Sequence, residues 1–214
     1  MEVTRILAIR HGETAWNVDT RLQGHLDIPL NETGLRQAEH LGRALSERET
    51  VDAIYASDLS RAHVTAQTIG RWMGRTVQTH DGLRERHFGV FQGRTFAEVE
   101  AQLPEHALQW RKRVPDWTPP GGGESLLSLQ ARILATVNAL AAQHTGKQIV
   151  LVAHGGVLDI LYRAATRLDL QAARTWLLTN TAINRLLWTP QGLSLVGWGD
   201  TSHLDALAKD ESSL

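Results

Sequence analysis

Apolar positions follow two rhythms along the chain. Continuous short runs at Ile6-Leu7-Ala8-Ile9, Ala53-Ile54-Tyr55-Ala56 and Ile149-Val150-Leu151-Val152-Ala153 predict strands buried on both faces. Val77 centres a further short strand, and two late strands are predicted near 183–188 and 193–198. Between these runs the apolar spacing changes to three and four. Leu35, Ala38, Leu41 and Leu45 predict a helix over 33–47 with Thr33 as its N-cap. Ala62, Ala66, Ile69 and Met73 face inward from a helix over 59–73. Leu126, Leu129, Ile133, Val137 and Leu140 mark another helix, and Leu158, Leu161, Tyr162 and Ala165 one more over 157–168. Pro119-Pro120-Gly121-Gly122-Gly123 is a loop. Residues 94–118, rich in charge and Trp, predict a helical excursion from the core, and residues 203–214 a polar, frayed tail. Strands alternating with helices predict an α/β fold: a three-layer sandwich with a mainly parallel central sheet and right-handed crossovers, flanked by helices.

Composition narrows the chemistry. The 214 residues, 42% hydrophobic and 21% charged, are enough for one domain over 1–214 with a full core. Lys and Arg number 22 against 23 Asp and Glu, for a net charge of −1. That balance excludes nucleic-acid binding through bulk positive charge, but allows a local basic pocket. The absence of cysteine excludes disulfide scaffolds, thiolate nucleophiles and Cys-ligated zinc. No apolar run reaches the length of a membrane span, and Met1-Glu2-Val3-Thr4-Arg5 lacks a signal-peptide layout. The expectation is a soluble, cytoplasmic protein with a small-molecule partner, its oligomeric state left open.

The residues just after each strand carry the chemistry. Arg10-His11-Gly12-Glu13 succeeds the first strand, Ser57-Asp58-Leu59-Ser60-Arg61 the second, Leu83-Arg84-Glu85-Arg86-His87 the third and His154-Gly155-Gly156 the fourth. Ligands of open α/β sheets bind outside the carboxyl ends of the strands. Arg10, His11, Arg61, Glu85 and His154 therefore converge on one edge suited to a phosphate dianion. A neutral imidazole there can take a phosphoryl group, guanidiniums can share its charge, and a carboxylic acid can protonate the leaving oxygen. No metal is needed for that set, and Gly155 and Gly156 are expected to turn backbone N–H groups towards the anion.

These segments identify a resemblance. Leu7-Ala8-Ile9-Arg10-His11-Gly12-Glu13-Thr14-Ala15-Trp16-Asn17 resembles the signature of the histidine phosphatase superfamily, the phosphoglycerate mutase-like family. The similarity continues in order through Arg21-Leu22-Gln23-Gly24, Pro29-Leu30-Asn31-Glu32-Thr33-Gly34, Ser57-Asp58-Leu59-Ser60-Arg61-Ala62, Leu83-Arg84-Glu85 and Ala153-His154-Gly155-Gly156, to about residue 190. An ordered set of this kind is far more specific than any single motif. The resemblance implies that His11 is the nucleophile and becomes phosphohistidine. Arg10, Arg61 and His154 complete the phosphate pocket, and Glu85 is the proton donor. Asn17, Gln23, Gly24 and the backbone of Gly155 match further substrate contacts. It also implies a phosphoglycerate mutase-like fold and no metal or cofactor.

Three functions compete: a metal-independent phosphomonoesterase acting on small phosphorylated metabolites, a phosphoglycerate mutase dependent on 2,3-bisphosphoglycerate, and a non-catalytic phosphate-binding module. Arg21-Leu22-Gln23-Gly24 is similar to the phosphatase branch, since mutases tend to carry Thr or Ser before the Gly. The stretch from Glu85 to Gly121 also lacks the longer insert of mutases. The complete pocket set argues against the binding module. Among the seven tryptophans, Trp16 adjoins the pocket motif, and Trp72, Trp176, Trp188 and Trp198 read as packing residues. Trp110 and Trp117 flank Arg111-Lys112-Arg113, either as a lid over the substrate or as an exposed amphipathic helix.

Overall fold

The computed structural model describes residues 2–205. Strand β1 (Thr4–Arg10) is followed by the short helix α1 (Ala15–Val18), then by α2 (Glu32–Arg48), β2 (Ala53–Ala56), α3 (Ser60–Met73) and β3 (Val77–Thr79). The excursion holds α4 (Phe96–Gln102) and α5 (Pro104–Arg111). The chain returns through α6 (Leu126–Ala142), β4 (Gln148–Ala153), α7 (Gly155–Thr166), β5 (Ile183–Thr189) and β6 (Gly192–Asp200).

The six strands form one sheet in the order β3-β2-β4-β1-β5-β6. Pairings from β3 to β1 are parallel, and β5 and β6 add antiparallel to the far side. The continuous apolar runs have a simple origin. Ile6 and Ala8 of β1, with Ile149 and Leu151 of β4, face α6 and α7. Leu7 and Ile9, with Val150 and Val152, face α2 and α3. Side chains alternate across a strand, so a strand covered on both faces has no position left for a polar residue. A satellite core of Phe88, Phe91, Val99 and Ala107 sits beneath α4 and α5.

This topology places the site. The chain leaves β1 in the direction of β2, across β4, whereas it leaves β4 in the direction of β5, across β1. The carboxyl ends of β1 and β4 thus form the switch point, where a crevice opens.

Several local expectations are corrected. Helix α2 starts earlier than 33, and Asn31, not Thr33, is its N-cap: Gly34 N–H donates to Asn31 Oδ1 at 2.8 Å. Asn31 is itself fixed by the loop after β1, since its N–H donates to Glu13 O and its Nδ2 to Glu13 Oε1. Leu35 is 47% exposed rather than part of the buried stripe. Trp72 is also exposed, lying on the α2–α3 surface with its Nε1–H donated to Glu39. Helix α7 begins at Gly155 and not near 157, with His154 alone between it and β4. Within the expected tail, His203 is buried on a 3₁₀ turn over Ser202–Leu204. The rest of that tail, from 206, lies outside the described residues.

Candidate active site

His11 leaves β1 beside the end of β4, its N–H donating to Ala153 O at 3.0 Å. Its ring is buried, and Nδ1 lies 2.7 Å from Gly12 O. A carbonyl only accepts, so Nδ1 carries the proton and Nε2 keeps its lone pair. The main chain around it is clamped: Gly12 N–H donates to Thr65 Oγ1, and Asn180 Nδ2 donates to His11 O at 2.7 Å. His154, at the N-terminus of α7, is fully buried with its ring centroid 5.2 Å from that of His11. Neither His154 nitrogen has a partner among the described residues.

Two arginines face this pair. Arg61 lies in the first turn of α3, 1% exposed, with Nη1 donating to Leu26 O at 2.9 Å and Nη2 to Gly24 O at 2.8 Å. Arg10 donates Nη1 to Leu178 O at 2.5 Å. The Nε groups of both are buried and unpartnered among the described residues. Burying donors without acceptors is costly, so the two guanidinium Nε groups, on side chains that line one cavity, point to an anion as their natural partner. Burial, with the Arg10 and Arg61 charges beside it, holds the His11 imidazole well below its usual range. Burial, then the charges of Arg61, His11 and Arg10, does the same to His154. Both rings are therefore neutral near pH 7. Burial lowers Arg61 to about 10, which leaves it charged there.

Glu85 reaches the same void from the loop after β3. Its carboxylate accepts Gly156 N–H at 3.0 and 3.1 Å and Arg86 N–H at 2.8 Å. Of the paired glycines, Gly156 gives its backbone N–H to Glu85, while Gly155 lines the cavity beside it. A Cβ at Gly156 would collide with Glu85 Oε1. Gly156→Ala is therefore expected to displace the carboxylate and lower kcat on alkyl phosphates by ~10–100-fold, as small misplacements of reacting groups do, with KM little changed. Steady-state kinetics with an alkyl phosphate check this.

The sequence-derived residues Arg10, His11, Asn17, Gln23, Gly24, Arg61, Glu85 and Gly155 line one cavity of about 900 Å³. Asn17 has its Oδ1 tied into the capping box of α1 by Thr14. Gln23 Oε1 is buried and unpartnered among the described residues. Gly24 has φ +55°, a left-handed conformation that exposes its carbonyl to Arg61 and leaves no room for a Cβ against Gln92.

Of the outer wall, only the 110–113 segment was legible in the sequence. Arg86, Phe88, Trp110, Arg113 and Asp159 line it. Arg86 is buried, its guanidinium lies 4.9 Å from the Trp110 ring centroid, and its Nη2 has no partner among the described residues. Arg113 pairs with Asp159 at 2.7 Å, fastening the end of the excursion to α7. From segment 110–117, Trp110, Arg111 and Arg113 line the cavity, whereas Trp117 packs on Phe91 in the satellite core. Among the described residues no cluster of three His, Asp or Glu side chains is placed to hold a metal ion, and no helix is long and apolar enough to cross a membrane.

Phosphoryl transfer is the chemistry that neutral imidazoles between buried guanidiniums serve, which defines the class as an α/β phosphoric monoester hydrolase or a close mechanistic relative. Comparison with known proteins then gives the family. The chain belongs to the histidine phosphatase superfamily (branch 1), whose description matches residues 6–201. It is 37% identical over 207 residues to phosphoglycerate mutase-like protein 4 of Arabidopsis thaliana, covering 96% of this chain and 89% of that one. It is 36% identical over 208 residues to the metal-independent phosphoserine phosphatase of the same plant, covering 96% and 85%. The structure of mycobacterial glucosyl-3-phosphoglycerate phosphatase superposes with a TM-score of 0.80 at 32% identity, covering 93% of this chain and all of the other. Phosphatases and mutase-like proteins thus both stand among its relatives, and the phosphatase reading is the one they favour.

Proposed function

We propose that the chain, acting as one catalytic domain in the cytoplasm, hydrolyses small phosphate monoesters in two steps through a phosphohistidine at His11, without a metal. The observation that carries this is the fixed tautomer of His11: Nδ1 donates to Gly12 O, so the Nε2 lone pair is free among buried cationic groups. In the first step Nε2 attacks phosphorus and the P–O ester bond breaks. Arg10, Arg61 and His154 donate to the three phosphoryl oxygens as charge redistributes, and Glu85, as the acid, passes its proton to the leaving oxygen. In the second step water attacks phosphorus, Glu85 takes its proton, and the P–N bond breaks to restore His11. Asn17, Gln23, Gly24 and Gly155 line the approach.

The substrate class is a phosphorylated sugar or sugar acid. The cavity exceeds a phosphate group in size, and Arg86 Nη2 on its outer wall offers an unused donor for a carboxylate or hydroxyl. The relatives named for phosphoserine and for glucosyl-3-phosphoglycerate support an ester of this size.

Phosphate release is to be measured on a panel of metabolite phosphates, with and without EDTA, beside isomerisation of 3-phosphoglycerate with and without 2,3-bisphosphoglycerate. Hydrolysis is expected with a rate unchanged by EDTA. Rapid bisphosphoglycerate-dependent isomerisation with little phosphate release would make the chain a mutase. Tight phosphate binding with no turnover would make it a binding module, and zinc-restored activity after EDTA would move it to metal chemistry.

A further inference from the structure

His25 lies outside the phosphate pocket, yet its Nε2 is 2.7 Å from the main-chain oxygen of Glu85. A carbonyl only accepts, so Nε2–H donates. Glu85 sits in a loop between two 3₁₀ turns, over Asp81–Leu83 and Gly89–Phe91, where no strand or helix ladder fixes its backbone. Its position depends on side chains. Among the described residues, only the longer contact from Arg132 Nη2, 3.3 Å, reaches the same oxygen besides His25, and Arg132 is also engaged with Glu124, Gly82 O and Arg84 O. His25 is itself held on two sides. Its backbone N–H donates to Gln92 Oε1 at 2.7 Å, and the His87 ring packs edge-on at 4.9 Å.

The neighbours of His25 extend the connection. The carbonyls of Gly24 and Leu26 accept the two Nη groups of Arg61. One three-residue stretch therefore grips the phosphate-holding arginine through its main chain and the proton donor through its ring. These two groups arise from different crossovers, and nothing in the sheet itself sets the distance between them.

We propose that His25 is a positioning residue that sets Glu85 relative to the phosphoryl site by donating Nε2–H to the Glu85 carbonyl. This rests on Glu85 acting as proton donor. Loss of the ring leaves both carbonyls on Arg61, so phosphate binding is preserved while the acid becomes loosely placed. Proton transfer is steeply sensitive to such displacement. The burden falls on esters whose leaving oxygen needs a proton, and not on p-nitrophenyl phosphate.

The test measures kcat and KM for an alkyl phosphate and for p-nitrophenyl phosphate with His25→Leu, His25→Gln, His25→Asn, Glu85→Gln and the His25→Leu/Glu85→Gln double variant, each checked by thermal unfolding. His25→Leu is expected to lose ~10-fold in kcat on the alkyl ester, under about twofold on the aryl ester, with KM unchanged on both. Gln places an amide N–H near the position of Nε2 and is expected to recover most of the alkyl rate, whereas Asn is too short and behaves like Leu. The double variant is expected to be no slower than Glu85→Gln alone. Equal losses on both esters, or Gln no better than Asn, would assign His25 a merely structural role and overturn the proposal. Should the Leu variant not fold, the Gln and Asn comparison decides alone. Failure of the proton-donor reading has a separate signature: Glu85→Gln itself would then lose equally on both esters.

Discussion

His11→Ala is expected to abolish the phosphoenzyme and to lower kcat by about 10⁴-fold or more, the scale on which a nucleophile that forms the covalent intermediate is missed. The reason is specific to this ring. Nδ1 is committed to Gly12 O, and burial with Arg10 and Arg61 nearby keeps the ring neutral. His154 cannot take over. Its ring is neutral too, but it stands fully buried at the start of α7, not among the residues lining the cavity, and neither nitrogen is oriented by an acceptor among the described residues. The variant is expected to fold, because the change removes a buried polar ring rather than an apolar one. Rapid quench with a radiolabelled ester measures the effect: wild type carries an acid-labile phosphoryl group, and label persisting on the variant would contradict the assignment.

Glu85→Ala is expected to lose ~10²–10³-fold in kcat on alkyl phosphates and far less on p-nitrophenyl phosphate. An alkoxide is a poor leaving group without a proton, whereas p-nitrophenolate leaves readily. The carboxylate is aimed at the void by Gly156 N–H and Arg86 N–H, and alanine leaves both donors unfilled without disturbing Arg10 or Arg61. A plot of log kcat against leaving-group pKa checks this. It should steepen in the variant, and parallel lines for the two enzymes would remove Glu85 from the role.

The pocket residues and the wall residues differ in how they declare themselves. His154 comes directly after a continuous apolar run and His11 one residue after another, and the two strands concerned, β1 and β4, are neighbours in register over Arg5–Arg10 and Gln148–Ala153. A run of that kind, placed as a strand, is buried on both faces, so the residues after it must lie at the sheet edge. The order of motifs then carried the family resemblance, and with it Arg10, Arg61, Glu85, Asn17, Gln23, Gly24 and Gly155. Arg86 and His25 gave no such sign. Arg86 stands in a charged run that resembles a solvated turn, and it becomes buried because Trp110, far along the chain, lies across it. Thr33 has the residue type of an N-cap but lost to Asn31, since the Glu13 loop holds Asn31 in the extended conformation a cap needs.

The amino-acid order by itself determined the strands buried on both faces, the alternation with helices, the absence of thiol chemistry and the set of cationic and acidic groups gathered at the sheet edge. Those are properties of local pattern and of residue chemistry, and they survive without knowing which segments touch. The tertiary structure alone decided that Gly156 N–H serves Glu85, that the 94–118 excursion walls the cavity through Arg113 and Asp159, and that His25 reaches Glu85 O across 60 positions. Such contacts are isolated hydrogen bonds or ion pairs that tie a loop to a distant segment, each worth about 1 kcal/mol net. They leave no periodicity behind, because only the packing of distant segments brings a donor within about 3 Å of its acceptor.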